Sequence, residues 1–361
     1  MQNAKFAPHD FGFCILHLNL YRFFRFSAFG ATAALPLLGA GSAEPLLDTR
    51  RTLGLLGVAA AFHAFAYVHN DVCDLEVDRT QPLRADYPLV RGDVSPQAAL
   101  AVALGCVPVA FALDRWVVCR DAPVGRLDTP PDTPPDAPPG RLYLASAFAL
   151  MATYNRWGKA CPFPPLTDLV QGAGWALLIA YGAATSGQPM NRLTQTLVAY
   201  ELLLILMVNG VHGSLRDLGN DRARGARTTA IMLGAEETPD GLRVGPGLIA
   251  YAAALQSALL GLPLWAAREL PDNRAPIAGV GAIVSLTAAL LAAAGRGGAR
   301  PADVGMLHLI LLLSAPVALV APGMGRPLHV VTLLAHTLPL LANGMTYDAL
   351  RWVIACGEAG E

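Results

Sequence analysis

The composition and the apolar runs of the chain predict an all-α protein that crosses a membrane several times. Hydrophobic residues make up 54% of the 361 residues and charged residues only 15%, whereas soluble domains carry about 25% charged residues. Several runs approach the length of about 20 apolar residues that a helix needs to cross a bilayer. Two acidic segments of similar sequence indicate an internal repeat. The predicted fold is therefore a polytopic transmembrane helical bundle.

Ten apolar runs are candidates for the membrane-spanning helices. The clearest cover residues 26–43, 53–68, 98–113, 169–184, 197–215, 247–266, 277–294 and 304–321, and two shorter runs cover 142–154 and 330–342. Helices are expected because a lipid-embedded segment must satisfy its backbone hydrogen bonds internally. We predict nine or ten spans. A cleaved secretory signal is the alternative for the amino terminus, where Arg22 and Arg25 precede an apolar run, but its cleavage pattern is weak.

The connections between the runs differ in composition. Residues 119–140 are rich in Pro and Asp, which predicts a flexible, extended loop. Otherwise we predict a single transmembrane domain over residues 1–361. Arg-rich connections follow both acidic segments, and the positive-inside rule then places these segments on the cytoplasmic side of the cell (inner) membrane.

Charge and cysteine content argue against other classes of protein. The net charge is −1, so no overall positive field indicates a nucleic-acid partner. The six cysteines form no Cys-x-x-Cys pair, and neither a zinc site nor a disulfide framework is predicted.

Two acidic segments repeat one pattern at a distance of 143 residues. Residues 68–79 read VHNDVCDLEVDR and residues 211–222 read VHGSLRDLGNDR, with six identities. The segments close the second and the sixth apolar runs. An even number of spans separates them, so both lie on one face of the membrane. We predict two parallel four-span repeats that face each other across a central cavity open to lipid.

The spacing of the carboxylates in both segments predicts metal binding. Helical residues four apart share a face, so Asn70, Asp74 and Asp78 form one row, with Asp71 beside it. Asp217 and Asp221 form the second row. Like charges at this spacing repel unless cations neutralise them. Clustered oxygen ligands suit Mg²⁺, which binds one or two carboxylates together with phosphate oxygens.

Arginines near both segments indicate that the phosphate group is a diphosphate. Guanidinium groups bind phosphate through two parallel hydrogen bonds. The arginines following the first segment are Arg79, Arg84 and Arg91, and those around the second are Arg216, Arg222, Arg224 and Arg227. Two metal half-sites and these arginines could hold one diphosphate between them. Plain helix capping by the aspartates is the alternative, which the duplication makes less attractive.

The motifs resemble those of the UbiA superfamily of intramembrane prenyltransferases. Asn70-Asp71-x-x-Asp74-x-x-x-Asp78 is similar to the first Asp-rich motif of that superfamily, and Asp217-x-x-x-Asp221 to the second. The loop 86–95, DYPLVRGDVS, and residues 154–159, YNRWGK, resemble the conserved loop and the Tyr-and-Lys motif. The resemblance extends over roughly residues 20 to 320 in family order.

The resemblance implies a helical bundle of about nine spans with Mg²⁺ bound by the two motifs. It also implies an isoprenyl diphosphate donor that ionises to an allylic carbocation and a lipophilic, aromatic acceptor in the membrane lipid. The resemblance implies three sets of site residues. The catalytic residues would be Asp71, Asp74, Asp217, Lys159 and Tyr154. The diphosphate would be bound by Asn70, Arg84, Arg91, Arg222 and Arg227, and the metal by Asn70, Asp71, Asp74, Asp78, Asp217 and Asp221. Tyr87 stands where many relatives have arginine, and Tyr154 and Lys159 are five residues apart instead of four.

Other polar residues inside the apolar runs have open roles. Glu201 is either a functional acid or an internal hydrogen-bonding group, and Asp168 either approaches the cavity or caps a helix. His69 and His212 either orient the aspartates or only pack. Asn209 is a weaker candidate for lining the cavity.

Two further functions compete with prenyl transfer. A terpene cyclase of the same superfamily would use the same metal site without an acceptor, because both reactions begin with the same ionisation. An ion-coupled transporter could also bind ions at an internal repeat. However, the aspartates lie with arginines at one membrane face instead of at mid-membrane.

Overall fold

The computed structural model describes residues 20–81, 84–118, 139–187, 189–239, 241–294 and 301–341. Ten helices of 15 residues or more occur in these ranges, and we number them α1 to α10. They are α1 (Phe29–Ala43), α2 (Thr49–Cys73), α3 (Pro96–Val118), α4 (Pro139–Trp157), α5 (Pro164–Ala184), α6 (Arg192–Met207), α7 (Pro246–Glu269), α8 (Arg274–Ala294), α9 (Pro301–Val320) and α10 (Arg326–Leu341). Each coincides with one of the ten predicted runs. Residues 119–138, which include most of the predicted flexible loop, lie outside the described ranges.

Seven of the helical segments are long and apolar enough to cross a membrane. They are Phe26–Ala43, Thr49–Cys73, Pro96–Trp116, Arg192–Arg216, Pro246–Glu269, Arg274–Ala294 and Ala302–Gly323. Large apolar side chains such as Leu104, Val109 and Leu286 are exposed on their outer faces, where lipid would cover them. The chain is therefore an integral membrane protein with a polytopic helical bundle, as predicted. The number of nine or ten spans stays a prediction.

Short elements connect the helices at the end where the acidic segments lie. One-turn helices cover Leu75–Asp78, Pro88–Arg91, Leu218–Ala223 and Thr229–Met232, and 3₁₀ turns cover Phe26–Ala28, Gly158–Ala160 and, at the opposite end, Ala321–Gly323. A small antiparallel hairpin pairs β1 (Glu236–Thr238) with β2 (Gly241–Arg243). The all-helical prediction missed this hairpin, whose second strand begins at Gly241 with φ 119°, a conformation that favours glycine.

The helices pack closely through small residues. A Cβ atom on Gly39 of α1 would lie 2.0 Å from the Ile179 carbonyl oxygen of α5, and one on Gly182 would lie 2.0 Å from the Pro36 carbonyl oxygen. Small residues let helix backbones approach in this way in membranes. Helix α2 packs along α3, α4 along α5, α8 along α9, and α10 along α1. The ends of α2, α4 and α6 converge on the region where the two acidic segments lie.

Candidate active site

The first acidic segment breaks α2 at its carboxyl end without losing the helical spacing. Helix α2 ends at Cys73, and Asp74 adopts φ −94° and ψ 4° before the one-turn helix Leu75–Asp78 begins. The backbone N–H of Asp74 still donates to the Asn70 carbonyl at 2.8 Å, and that of Asp78 donates to the Asp74 carbonyl at 2.8 Å. The side-chain Nδ2 of Asn70 also donates to Asp74 Oδ2 at 3.2 Å. The predicted row of Asn70, Asp74 and Asp78 is therefore present.

The second acidic segment repeats this backbone. Asp217 adopts φ −99° and ψ 7° between the turn Ser214–Arg216 and the helix Leu218–Ala223. The N–H of Asp221 donates to the Asp217 carbonyl at 2.9 Å. The two segments differ in the helix that leads into them, because α6 continues as a π-helical turn over Val208–Gly213. The repeated sequence thus produces a repeated local structure.

The two acidic segments touch each other. Thr80 donates from Oγ1 to Asn220 Oδ1 at 3.0 Å, and Asn220 donates from Nδ2 to the Val77 carbonyl at 3.4 Å. Gln81 donates from Nε2 to Asp217 Oδ1 at 3.0 Å. Both segments therefore lie at one end of the bundle, as the even number of intervening spans predicts. Sequence reasoning did not single out Thr80, Gln81 or Asn220.

Lys159 links the two segments electrostatically. It follows α4 in the turn Gly158–Ala160, and its Nζ lies 3.5 Å from Asp74 Oδ2 and 3.5 Å from Asp221 Oδ1. Burial favours the neutral amine, but the carboxylates of Asp74, Asp221, Asp78 and Asp217 outweigh it and raise the pKa of Lys159. The amine is therefore a fixed positive charge between the two segments.

The buried aspartates of both segments differ in how well they are neutralised. Burial raises the pKa of Asp78 and of Asp221, and the Oδ1 atom of Asp221 accepts no hydrogen bond. Burial also acts to raise the pKa of Asp217. Its two hydrogen bonds from Arg216, at 3.0 and 2.6 Å, overcome burial and lower its pKa. An added cation would therefore favour the ionised forms of Asp78 and Asp221.

Asp71 is engaged differently from the other aspartates. Arg25, in the segment that enters α1, forms a buried ion pair with Asp71. The Arg25 guanidinium also lies over the rings of Tyr67 and Tyr87, at 5.1 and 5.7 Å from their centres. Sequence reasoning treated Arg25 only as a flank of the first apolar run, because 46 residues separate the two partners. The predicted role of Asp71 on the metal stays a prediction.

The donor set fits Mg²⁺ bound jointly with a phosphate group. Within the described ranges, no three His, Cys, Asp or Glu side chains come close enough to hold a metal ion by themselves. Mg²⁺ does not require such a cage, since it usually takes one or two carboxylates plus substrate phosphates. The row in each segment provides such an incomplete half-site, in which Asp221 Oδ1 pairs with the Lys159 amine at 3.5 Å.

The predicted diphosphate arginines occupy different positions. Arg84 lies over the Tyr87 ring at 4.6 Å, and its charge acts on Asp78 and Asp217. Arg91, by contrast, is exposed and pairs with Asp93. Arg222 and Arg227 are also exposed, and the backbone N–H of Arg227 donates to the Lys159 carbonyl at 3.2 Å.

Tyr154 and Asp168 belong to one polar group beneath the second acidic segment. Asn209 donates from Nδ2 to the Tyr154 hydroxyl at 3.4 Å. Thr229, just after the segment, donates to Asp168 Oδ2 at 2.5 Å. Of the two roles considered for Asp168, helix capping is wrong: Phe163 occupies the N-cap of α5, and Asp168 lies inside the helix.

The histidines of the two segments bond to other side chains. His69 Nδ1 lies 3.1 Å from Asn155 Nδ2, and His212 Nε2 lies 3.0 Å from His308 Nδ1. These bonds favour packing over the orientation of aspartates. Glu201 is buried and lines a small internal cavity of about 10 Å³ together with His336.

A family model matches the part of the chain that contains the first acidic segment. The model of the UbiA prenyltransferase family matches residues 28–122, which include the first acidic segment. No curated protein sequence matches the chain.

Solved structures share the fold. The apo structure of a UbiA homolog from Aeropyrum pernix K1 has a TM-score of 0.56 at 18% identity and covers 81% of this chain and 96% of its own. A UbiA homolog from Archaeoglobus fulgidus, in structures bound to GPP and Mg²⁺ and to DMAPP and Mg²⁺, has a TM-score of 0.54 at 14% identity and covers 84% of this chain and 99% of its own. The predicted resemblance to the UbiA superfamily is confirmed.

Proposed function

We propose that this protein is an Mg²⁺-dependent prenyltransferase, which transfers an isoprenyl group from an isoprenyl diphosphate to a lipophilic, aromatic acceptor in the membrane. The observation that carries this proposal is the meeting of two acidic segments around Lys159, which lies 3.5 Å from a carboxylate of each. Two carboxylate half-sites that bind Mg²⁺, with a protein cation between them, would suit an anionic diphosphate leaving group. The family match and the homologs bound to GPP or DMAPP with Mg²⁺ support the choice of donor.

Each acidic segment would hold metal through its own oxygen atoms. The first segment would use Asn70, Asp74 and Asp78, with Asp71, and the second would use Asp217 and Asp221. Bound Mg²⁺ supplies Lewis-acid neutralisation of the charge that develops on the leaving diphosphate. Burial raises the pKa of Asp78 and of Asp221, so a bound cation would favour their ionised forms.

Fixed cations of the protein would bind the diphosphate oxygens directly. Lys159 is already held between the segments, and Arg84 stands beside them. Arg91, Arg222 and Arg227 are exposed at the same end of the bundle and would need to turn toward the diphosphate. Tyr154 would donate its hydroxyl proton in a hydrogen bond to the leaving group. Donors held in place before the reaction stabilise developing charge without reorganisation.

The apolar interior would take the isoprenyl chain and protect the carbocation. Breaking the bond between C1 and the diphosphate oxygen leaves an allylic cation, which the acceptor then attacks while it loses a proton. Exclusion of water prevents its hydrolysis. The acidic segments would lie on the cytoplasmic side of the cell (inner) membrane, where the water-soluble diphosphate is released.

The test is incubation of the purified protein with labelled farnesyl and geranylgeranyl diphosphates and Mg²⁺, with and without phenolic acceptors. Acceptor-dependent diphosphate release with an alkylated product is the expected result. Release without any acceptor, giving a cyclic hydrocarbon or alcohol, would instead assign the protein as a terpene cyclase. If no condition gave diphosphate release, both enzymatic functions would be contradicted, and the ion-coupled transporter would be favoured.

A further inference from the structure

We infer that Asp168 is a positioning residue, which acts through Asn209 to fix the direction of the hydrogen bond at Tyr154. The inference rests on the proposed function, in which Tyr154 donates to the leaving diphosphate. The polar group comprises Tyr154 of α4, Asp168 of α5, Asn209 of the π-helical turn after α6, and Thr229. It lies directly behind the second acidic segment.

Asp168 is the fixed point of this group. Only 7% of its surface is exposed, and it accepts a hydrogen bond from Thr229 Oγ1 at 2.5 Å. Hydrogen bonding from the nearby Asn209 side chain also favours the ionised form of this carboxylate. Asp168 Oδ2 also lies close to the backbone of the π-helical turn, since a Cβ atom on Gly210 would be 3.2 Å from it.

The carboxylate decides which way the Asn209 amide points. An ionised carboxylate only accepts hydrogen bonds, whereas an amide has a donor end and an acceptor end. Asp168 therefore requires the NH₂ end of Asn209 to face it. The same NH₂ group lies 3.4 Å from the Tyr154 hydroxyl, so the hydroxyl oxygen is the acceptor there. Its own proton must point elsewhere and is available for the diphosphate.

Asp168→Asn is the sharpest change because it keeps the size and inverts the hydrogen bonding. The new amide can donate to the Asn209 oxygen, which lets Asn209 rotate. Tyr154 would then donate to Asn209 and no longer to the substrate. Loss of one positioned donor lowers kcat on the order of a hundredfold, and KM for farnesyl diphosphate should change little. In a Tyr154→Phe background the same substitution should have almost no further effect, since residues that act as one unit are not additive.

Asp114 offers a matched control. Like Asp168, Asp114 is a buried aspartate, and it accepts a hydrogen bond from the Tyr181 hydroxyl at 3.1 Å. However, Asp114 lies outside the polar group and pairs with Arg141. Asp114→Asn should have an effect on kcat that simply adds to that of Tyr154→Phe. If the effect of Asp168→Asn on kcat also adds fully to that of Tyr154→Phe, the positioning role is wrong.

A second measurement needs no catalysis. Protein labelled with ¹³C at the ζ carbon of its nine tyrosines gives one NMR signal for Tyr154, assigned by its loss in Tyr154→Phe. This signal should shift in Asp168→Asn and stay in place in Asp114→Asn. An unshifted signal in a folded Asp168→Asn protein would overturn the inference. Absence of diphosphate release by the wild type would contradict only the proposed function, because the NMR result stands independently.

Discussion

Gln81 donates a hydrogen bond to Asp217 at 3.0 Å, although 136 residues separate them in the sequence. The bond joins the chain just after the first acidic segment to the central aspartate of the second. The two halves of the candidate site are therefore one structural unit before any substrate arrives. A substitution in one segment is therefore expected to affect the other.

Loss of either central aspartate should disable the whole site. We expect Asp74→Asn and Asp217→Asn each to lower turnover on the order of 10²-fold, about 3 kcal/mol of barrier, because each removes a carboxylate that we propose as a metal ligand. The double variant should be far less than additively worse. Product formation is measured for all three proteins, with thermal melting in detergent as the control for folding. Near-normal turnover of folded Asp217→Asn would refute the two-half-site mechanism.

Activity should depend on a divalent cation. A chelator should abolish diphosphate release, and Mg²⁺ or Mn²⁺ should restore it, because the two acidic segments bring several buried carboxylates, including Asp78 and Asp221, to one end of the bundle. Calorimetric titration of farnesyl diphosphate with and without Mg²⁺ gives an independent readout. Full activity in excess chelator would remove the metal assignment.

Lys159 should act mainly on the diphosphate and not on folding. Lys159→Gln removes the charge between Asp74 and Asp221, and we expect the affinity for farnesyl diphosphate to fall about tenfold, as loss of a charge-assisted hydrogen bond would give. Lys159→Arg keeps the charge and should retain most of the affinity. Equal losses in both variants would mean that the shape of the amine, and not its charge, matters.

Arg25 should be a stabilising residue of the first segment. Arg25→Ala leaves Asp71 buried without its ion-pair partner, and we expect unfolding in detergent to become easier by about 3 kcal/mol. The double variant Arg25→Ala, Asp71→Ala should recover part of that loss. Arg22→Ala is the control, because its partner Asp86 is largely exposed and such pairs contribute about 1 kcal/mol or less. A similar effect of both single substitutions would argue against a special role for the buried pair.

The two segments should be accessible from the same side of the membrane. Single cysteines at Arg84 and Arg224, in a background without the native cysteines, should react with a membrane-impermeant maleimide from the cytoplasmic side only. Arg224 donates to Thr80 at 3.2 Å, so the chain just after the first segment and the chain just after the second lie side by side. A cysteine at Arg192, at the opposite end of α6, should react from the other side. Labelling of positions 84 and 224 from opposite sides would contradict the parallel repeat.

The helices and the acidic rows could be read from the sequence because they depend on local periodicity. Each of the ten apolar runs coincides with a helix, and the four-residue spacing of Asn70, Asp74 and Asp78 survives the break after Cys73. An i to i+4 relationship needs only one continuous turn of backbone. For the same reason, the repeated sequence gives the same backbone hydrogen bond in both segments, from Asp78 to Asp74 in the first and from Asp221 to Asp217 in the second.

Tertiary structure alone decided which side chains meet across helices. The sequence marked Lys159 and Asp221 as separate candidates, but only the packing of α4 beside the end of α6 brings them to 3.5 Å. Arg25 and Asp71, and likewise Tyr154 and Asn209, are too far apart in the chain for any spacing rule to pair them. Spacing fixes geometry only within one element, whereas the crossing of two helices depends on how all their small and large side chains fit together. The sequence therefore determined the parts of this site, and helix packing determined their partners.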